Sequence, residues 1–152
     1  MRGFADALQS IAVTLWAGAV WAIGFIAAPI LFSRLTDRAM AGMVAGKLFT
    51  IVAWIGIACA VYLLVLRLTR HGPACLKQGF FWVVLVMFAV VLAGHFGVQP
   101  VLEGLRVQAR ARELAEDILL DRFMTWHGIA SVLYIIQSVL AVALVVLHGR
   151  GK

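Results

Sequence analysis

Charged residues are scarce in this sequence. Asp, Glu, Lys and Arg make up 13% of its 152 residues and hydrophobic residues make up 64%. Soluble domains carry about 25% charged and about 45–50% apolar residues. A small globule leaves much of its surface exposed, so it cannot bury this excess of apolar side chains. The composition excludes an ordinary soluble domain and indicates that lipid solvates much of the surface.

Cysteine is rare, and the motifs of soluble enzymes are missing. The two cysteines are too few for a disulfide framework. Cys59 falls in an apolar run and Cys75 in a loop, so we expect no bond between them and a core role for Cys59. The sequence contains no glycine-rich phosphate loop after a strand, no nucleophile elbow and no clustered Cys/His zinc pattern. These absences favour a role without catalysis.

The basic residues outnumber the acidic ones, 13 against 7, which gives a net charge of +6. The cations lie almost wholly between and beyond the apolar runs. That placement is typical of loops beside anionic lipid headgroups. We therefore expect the lipid bilayer, and not nucleic acid, as the partner of these charges.

Four apolar runs are long enough to cross a bilayer, which takes about 20 residues. They are Leu8–Phe32, Leu48–Leu66, Gly79–Leu102 and Phe123–Leu147. The first exceeds the roughly 7–15 residues of a signal-peptide core, so we expect a retained helix. The prediction is an all-α integral membrane four-helix bundle, with residues 1–152 forming one transmembrane domain and no evident internal repeat.

The segments between the spans contain helix signals. Thr36-Asp37 predicts an N-cap for a helix that begins near Arg38, and Pro100 predicts a kink where span three leaves the membrane. From residue 103 to residue 122, charged side chains recur at three- and four-residue spacings with apolar residues between them. This pattern predicts an amphipathic helical extension of span three, with Asp121 capping span four. The charged residues are Arg106, Arg110, Arg112, Glu113, Glu116 and Asp117.

An even number of spans places both chain ends on one side of the membrane. That side carries six cations and the other side carries seven. The positive-inside rule counts cations, so it is nearly balanced here. We expect both termini in the cytoplasm of a bacterium, with the chain in the inner membrane.

Polar residues inside the spans are the first candidates for function, because they are costly in lipid. His95, Gln99 and Glu103 follow one another at four-residue spacing on one face of span three. His127 opens span four, and its depth differs from that of His95 by roughly 5 Å at 1.5 Å per residue. Lys47 opens span two on the same side. These five residues form the predicted ligand or metal site.

Other polar and small residues have bundle roles. We expect a polar face whose side chains bond across helices, and glycines that let helices approach closely. The polar face comprises Gln9, Ser131, Tyr134, Gln137 and Ser138, and the packing glycines are Gly18, Gly42 and Gly46.

Each candidate also has a structural interpretation. Lys47 can extend to the interface, and His127 follows Trp126 in an aromatic belt position. His95 can form an interhelical hydrogen bond, and Glu103 can pair with Arg106 or Arg110 on its own helix. The functional alternatives are haem or transition-metal ligation by His95 and His127, or a proton or cation pathway along the stripe.

The sequence resembles the bacterial membrane family called domain of unknown function 4149, which is related to the eukaryotic transmembrane protein 205 family. The resemblance covers most of the chain and implies at most a role in drug or metal tolerance. The residues that carry it are Leu15-Trp16-x-Gly18, Pro29-x-Leu31-Phe32, Ala41-Gly42, Gly46-Lys47-Leu48-Phe49 and Phe123-x-x-Trp126-His127-Gly128-x-x-Ser131.

There is a fainter similarity to membrane protoporphyrinogen oxidases and to the membrane domain of copper-resistance proteins. The oxidases place a haem-ligating histidine about two turns before the tryptophan of span one. Gln9 stands at that position here, and glutamine is a poor haem ligand. This departure speaks against oxidase activity.

The main hypothesis is a binding, transport-accessory or assembly protein of the membrane. The alternative is a small b-type haem or metal protein that serves electron transfer or haem metabolism through His95 and His127. A transporter would be a third option and would require a homo-oligomer or a partner membrane protein, with Gly42 and Gly46 at the contact.

Overall fold

The computed structural model describes residues 2–111 and 116–150, almost all of them helical. Span one comprises α1 (Arg2–Trp21), a π-helical segment (Ala22–Ala27) and α2 (Ala28–Arg34); span two is α3 (Arg38–His71), followed by a 3₁₀ segment (Gly72–Lys77). Span three comprises α4 (Gly79–Leu92), a second π-helical segment (Ala93–Val98) and α5 (Gln99–Ala111); span four is α6 (Glu116–Arg150). Four helical stretches are long and apolar enough to cross a membrane. The predicted all-α, multi-pass membrane architecture is confirmed.

The helix ends agree with the sequence at one site and differ at another. The backbone N–H of Met40 donates to Asp37 Oδ1 at 3.1 Å, which confirms Asp37 as the cap of α3. The prediction for Asp121 is wrong, because α6 begins at Glu116 and Asp121 lies within its second turn. The amphipathic extension is also divided between the end of α5 and the start of α6. Residues 112–115, with Arg112 and Glu113, lie outside the described residues.

The hydrophobic core fills the half of the bundle nearest the chain ends, which we call the terminal half. There α1, α3, α4 and α6 pack in a closed ring, each against two neighbours. The core cluster includes the fully buried Trp16, Leu63, Met87 and Leu144. Gly56 makes room for Trp16, since a Cβ at residue 56 would lie 2.6 Å from the indole nitrogen. Cys59 and Cys75 are buried free thiols, as expected.

Polar contacts close the terminal half at its outer end. Gln9 Nε2 lies 3.3 Å from His148 Nδ1, and Ser10 Oγ lies 3.1 Å from His148 Nε2. Arg70 forms an ion pair with Asp6. These contacts tie span one to spans two and four.

The two π segments have the same short sequence pattern, which becomes noticeable once the segments are located in the structure. Residues 22–29 read AIGFIAAP and residues 93–100 read AGHFGVQP, with Ala, Phe and Pro at the same three places. Proline has no N–H to donate, and its ring clashes with the carbonyl four residues earlier. Here those carbonyls belong to Phe25 and Phe96, inside the wider π turns. In each span the π segment ends two residues before the proline, and the kink expected at Pro100 stays a prediction.

Beyond the π segments the ring opens. In this half, which we call the loop half, α2 packs on α3 and α5 packs on α6. Among the described residues, the backbones of α2 and α6 do not approach closely, and the gap between α3 and α5 is bridged by the side chains of Gln99 and Arg106. The two helix pairs therefore leave space between them.

Candidate functional site

A cavity of about 450 Å³ occupies the space between the two helix pairs. All four spans contribute to its wall, and both π segments do so, through Gly24, Phe25, His95 and Val98 among others. Most of the lining is aliphatic or aromatic. The cavity begins at the core residue Trp16 and extends toward the loop side of the bundle.

Tyr134 holds the π turn of span one open toward the cavity. Its hydroxyl donates to the carbonyl of Val20. In an α-helix, the N–H of residue 24 would donate to the carbonyl of residue 20. The tyrosine hydroxyl therefore takes the place of one helical hydrogen bond. Its ring also meets Phe49 edge-on, with centroids 5.0 Å apart.

Gly24 is required for this insertion. A Cβ at residue 24 would lie 2.9 Å from Cζ of Tyr134 and closer still to the adjacent ring carbon. Side chains cannot share that volume. The glycine in span one and the tyrosine in span four therefore form one structural unit.

Three polar side chains at the inner end of the cavity lack hydrogen-bond partners among the described residues. Both amide atoms of Gln137 are unpartnered, although this residue is only 4% exposed. The indole nitrogen of Trp16 and Nδ1 of His95 are unpartnered as well. All three residues line the cavity and lie near the middle of their spans. Buried polar atoms are normally satisfied, so each exception calls for an explanation.

The outer end of the cavity carries a cation. Arg106 lines this end, pairs with Glu103 at 3.4 Å, and lies over the ring of Phe123 at 5.7 Å. Its guanidinium also lies against Gly46, where an added Cβ would come within 2.9 Å of Nη1. The pairing of Glu103 with Arg106 was one of the interpretations that the sequence offered, and it is confirmed.

The predicted site residues are only partly brought together. His95, Gln99 and His127 line the cavity, whereas Lys47 and Glu103 are exposed and do not. Gln99 Nε2 donates to the carbonyl of Gly46 at 3.5 Å. His95 meets the ring of Trp54, with centroids 5.4 Å apart.

The predicted polar face is divided in the same way. Tyr134 bonds across helices, as expected, and Ser131 and Gln137 line the cavity. The same prediction for Gln137 is wrong, because neither of its amide atoms has a hydrogen-bond partner among the described residues. The serine hydroxyls differ from expectation, because Ser131 donates to the carbonyl of His127 and Ser138 to that of Tyr134, within their own helix. Gln9 belongs to the polar contacts of the terminal half.

The three packing glycines have different surroundings. Gly46 lines the cavity, and both Gly46 and the buried Gly42 lie near the Arg106 guanidinium. Gly18 is exposed, and a Cβ added there would meet nothing within 4 Å. The predicted role of Gly42 and Gly46 in an oligomer contact stays a prediction.

Two cavity residues were missed from the sequence. Arg106 was assigned to the amphipathic extension, although it lies seven residues after Gln99 and thus on the same helix face. Trp16 reads as an apolar core residue, and its unpartnered indole nitrogen becomes evident only in the packed bundle.

Among residues 2–111 and 116–150, no group of three or more His, Cys, Asp or Glu side chains is placed to hold a metal ion. The family model described as "Domain of unknown function (DUF4149)" matches residues 11–111 of the chain. No curated protein and no solved structure matches it.

Proposed function

Since the chain belongs to the family described as a domain of unknown function (DUF4149), whose name carries no activity, we propose a function from the cavity. The protein binds a small, largely apolar molecule that it takes up from the surrounding lipid. Binding, rather than catalysis, is its role, either as a carrier or as an accessory to transport or assembly. The observation that carries the proposal is the mid-membrane cavity with unpartnered polar atoms at its inner end.

The size and lining of the cavity support this function. Small-molecule sites are concave, about 300–1,000 Å³ in volume, mostly apolar, and contain a few convergent polar groups. The cavity of about 450 Å³ fits that description. The mostly aliphatic and aromatic wall favours a ligand that partitions into lipid.

The cavity is accessible from the bilayer. Phe25 on span one and Ile135 on span four both line it, and they are 60% and 58% exposed. In a membrane protein, such exposed apolar side chains face lipid. An opening between α2 and α6 therefore lets a ligand enter sideways.

We expect a bromoalkane to quench Trp16 in a saturable manner. The test uses a variant in which Trp21, Trp54, Trp82 and Trp126 are replaced by phenylalanine, reconstituted into phosphatidylcholine nanodiscs and titrated with 1-bromodecane. Trp16 is fully buried and lines the cavity, so a bromine atom inside the cavity lies much closer to its indole than one in the surrounding lipid.

The control keeps Trp82 as the sole tryptophan, which is 51% exposed. Its quenching should rise in proportion to the bromodecane in the lipid, without saturation. Trp16 quenching that is absent, or as unsaturable as that of Trp82, would refute the proposed function.

A b-type haem protein is the second candidate, because His95 and His127 line the same cavity and Nδ1 of His95 is unpartnered. A pair of imidazoles is a common axial ligand set for haem iron. This candidate predicts a Soret band in the purified protein that shifts on dithionite reduction and is lost in His95→Ala and His127→Ala. A flat visible spectrum after purification from haem-supplemented cells would eliminate it.

The proposal places the chain in a bacterial inner membrane with both termini in the cytoplasm. The support is the resemblance of the sequence to a bacterial membrane family, together with the four spans, which put both termini on the same side of the membrane. If the protein carries its ligand across the membrane, the proposal also requires a homo-oligomer or a partner membrane protein.

A further inference from the structure

Three residues that line the cavity carry buried hydrogen-bonding atoms without a partner among the described residues. Trp16 offers one N–H donor, and the Gln137 amide offers donors and an acceptor. Nδ1 of His95 is a third unpartnered group on the same wall. The set therefore combines donors with an acceptor in a small apolar space.

Leaving these atoms unpaired is costly at this depth. The bilayer interior supplies no water to the backbone or side chains, and an unsatisfied buried amide destabilises the fold. The surrounding polar side chains are satisfied, since Tyr134, Ser138 and Gln99 each have a partner. Gln137 is only 4% exposed, and its amide has no hydrogen-bond partner among the described residues.

We infer that the cavity selects an uncharged amphiphile whose head group both accepts and donates hydrogen bonds, such as a primary alcohol or a carboxamide. This inference rests on the proposed function. The head group lies against Gln137 and Trp16, and the alkyl chain leaves through the opening between α2 and α6. A hydroxyl or amide oxygen accepts from the Trp16 indole, and the head group's N–H or O–H donates to the Gln137 carbonyl.

A charged ligand head group is unfavourable at the inner end of the cavity. Arg106 is the only cavity-lining residue with a permanent charge among the described residues, and it lies at the outer end. It is eleven residues beyond His95, or roughly 16 Å at 1.5 Å per residue. A carboxylate head group at Gln137 would be desolvated without a counter-ion, which is strongly unfavourable in the membrane.

The experiment measures competition against 1-bromodecane in the single-Trp16 protein. The competitors share a ten-carbon chain and differ in the head group: decane, 1-decanol, decanamide, and decanoate at pH 8. We expect 1-decanol and decanamide to displace the probe at concentrations about tenfold lower than decane, as one well-made hydrogen bond allows. Decanoate should compete no better than decane.

Gln137→Leu should remove this tenfold advantage and leave competition by decane unchanged. Gln137→Met, which has a similar length, serves as a second variant. Gln9→Leu is the matched control, because it removes a buried amide that lies outside the cavity, so the head-group preference should persist.

Equal potency of decane and the polar competitors, or a preference that survives in both Gln137 variants, would overturn the inference. The proposed function would still stand in that case, since the bromoalkane would have entered the cavity. A failure of the proposed function is seen separately, as Trp16 quenching that never saturates.

Discussion

Gly24→Ala is expected to destabilise the protein by about 3 kcal/mol. Overpacking in a filled site costs about 1–3 kcal/mol, and the loss of one hydrogen bond adds about 1 kcal/mol. The added methyl group would occupy the volume of the Tyr134 ring. The tyrosine would have to withdraw, and its hydroxyl would leave the carbonyl of Val20. The measurement is the free energy of unfolding in a denaturing-detergent titration.

A double-mutant cycle identifies the cause. In a Tyr134→Ala background the clash is gone, so Gly24→Ala should become neutral or stabilising by about 0.5–1 kcal/mol, as alanine is favoured over glycine in helices. Gly18→Ala is the control on the same span, because an added Cβ there meets nothing within 4 Å. An equal cost of Gly24→Ala with and without the tyrosine ring would contradict the explanation.

Ala130→Phe is expected to abolish saturable quenching of Trp16. Ala130 lies on α6 in the cavity wall, five residues before the lipid-exposed Ile135. A phenyl ring at this position would fill the space that the ligand needs. The ligand-free variant should gain about 1 kcal/mol in stability, because filling a cavity restores lost packing contacts. The same bromodecane titration and unfolding experiment measure both effects.

Val132→Phe provides the comparison. Val132 is two residues farther along the helix, 57% exposed and outside the cavity lining. The same added ring should therefore face lipid and leave Trp16 quenching unchanged. Saturable quenching that survives in Ala130→Phe would show that the probe reaches Trp16 by some route other than the cavity.

The spans and one helix cap could be predicted because they depend on local sequence. Long apolar runs determine the four membrane crossings, and Asp37 caps α3 through a bond within its own turn. Asp121 has the right residue type for a cap, yet α6 begins earlier, at Glu116. A residue type that suits a helix start does not by itself decide where the helix starts.

The site was only partly predictable, because spacing along one helix can be read from the sequence, whereas contacts between helices cannot. His95 and Gln99 share a helix face, so their common cavity follows from spacing, and His127 was expected near them in depth. Lys47 was grouped with them by depth alone, but its side chain is exposed and outside the cavity lining. The orphan atoms of Gln137 and Trp16 could not be found from the sequence, because a hydrogen-bond deficit is a property of the packed neighbours.

The same Ala-x-x-Phe-x-x-x-Pro motif covers a π segment in span one and in span three. Gly24 and His95 occupy the third position of the two motifs. An aromatic ring from a neighbouring span meets each position, Tyr134 from span four at Gly24 and Trp54 from span two at His95. The third position of the motif therefore serves two different purposes. In span one it carries no side chain and admits a ring that braces the backbone, whereas in span three it carries an imidazole on the cavity wall, so a repeated backbone motif frames a chemically one-sided site.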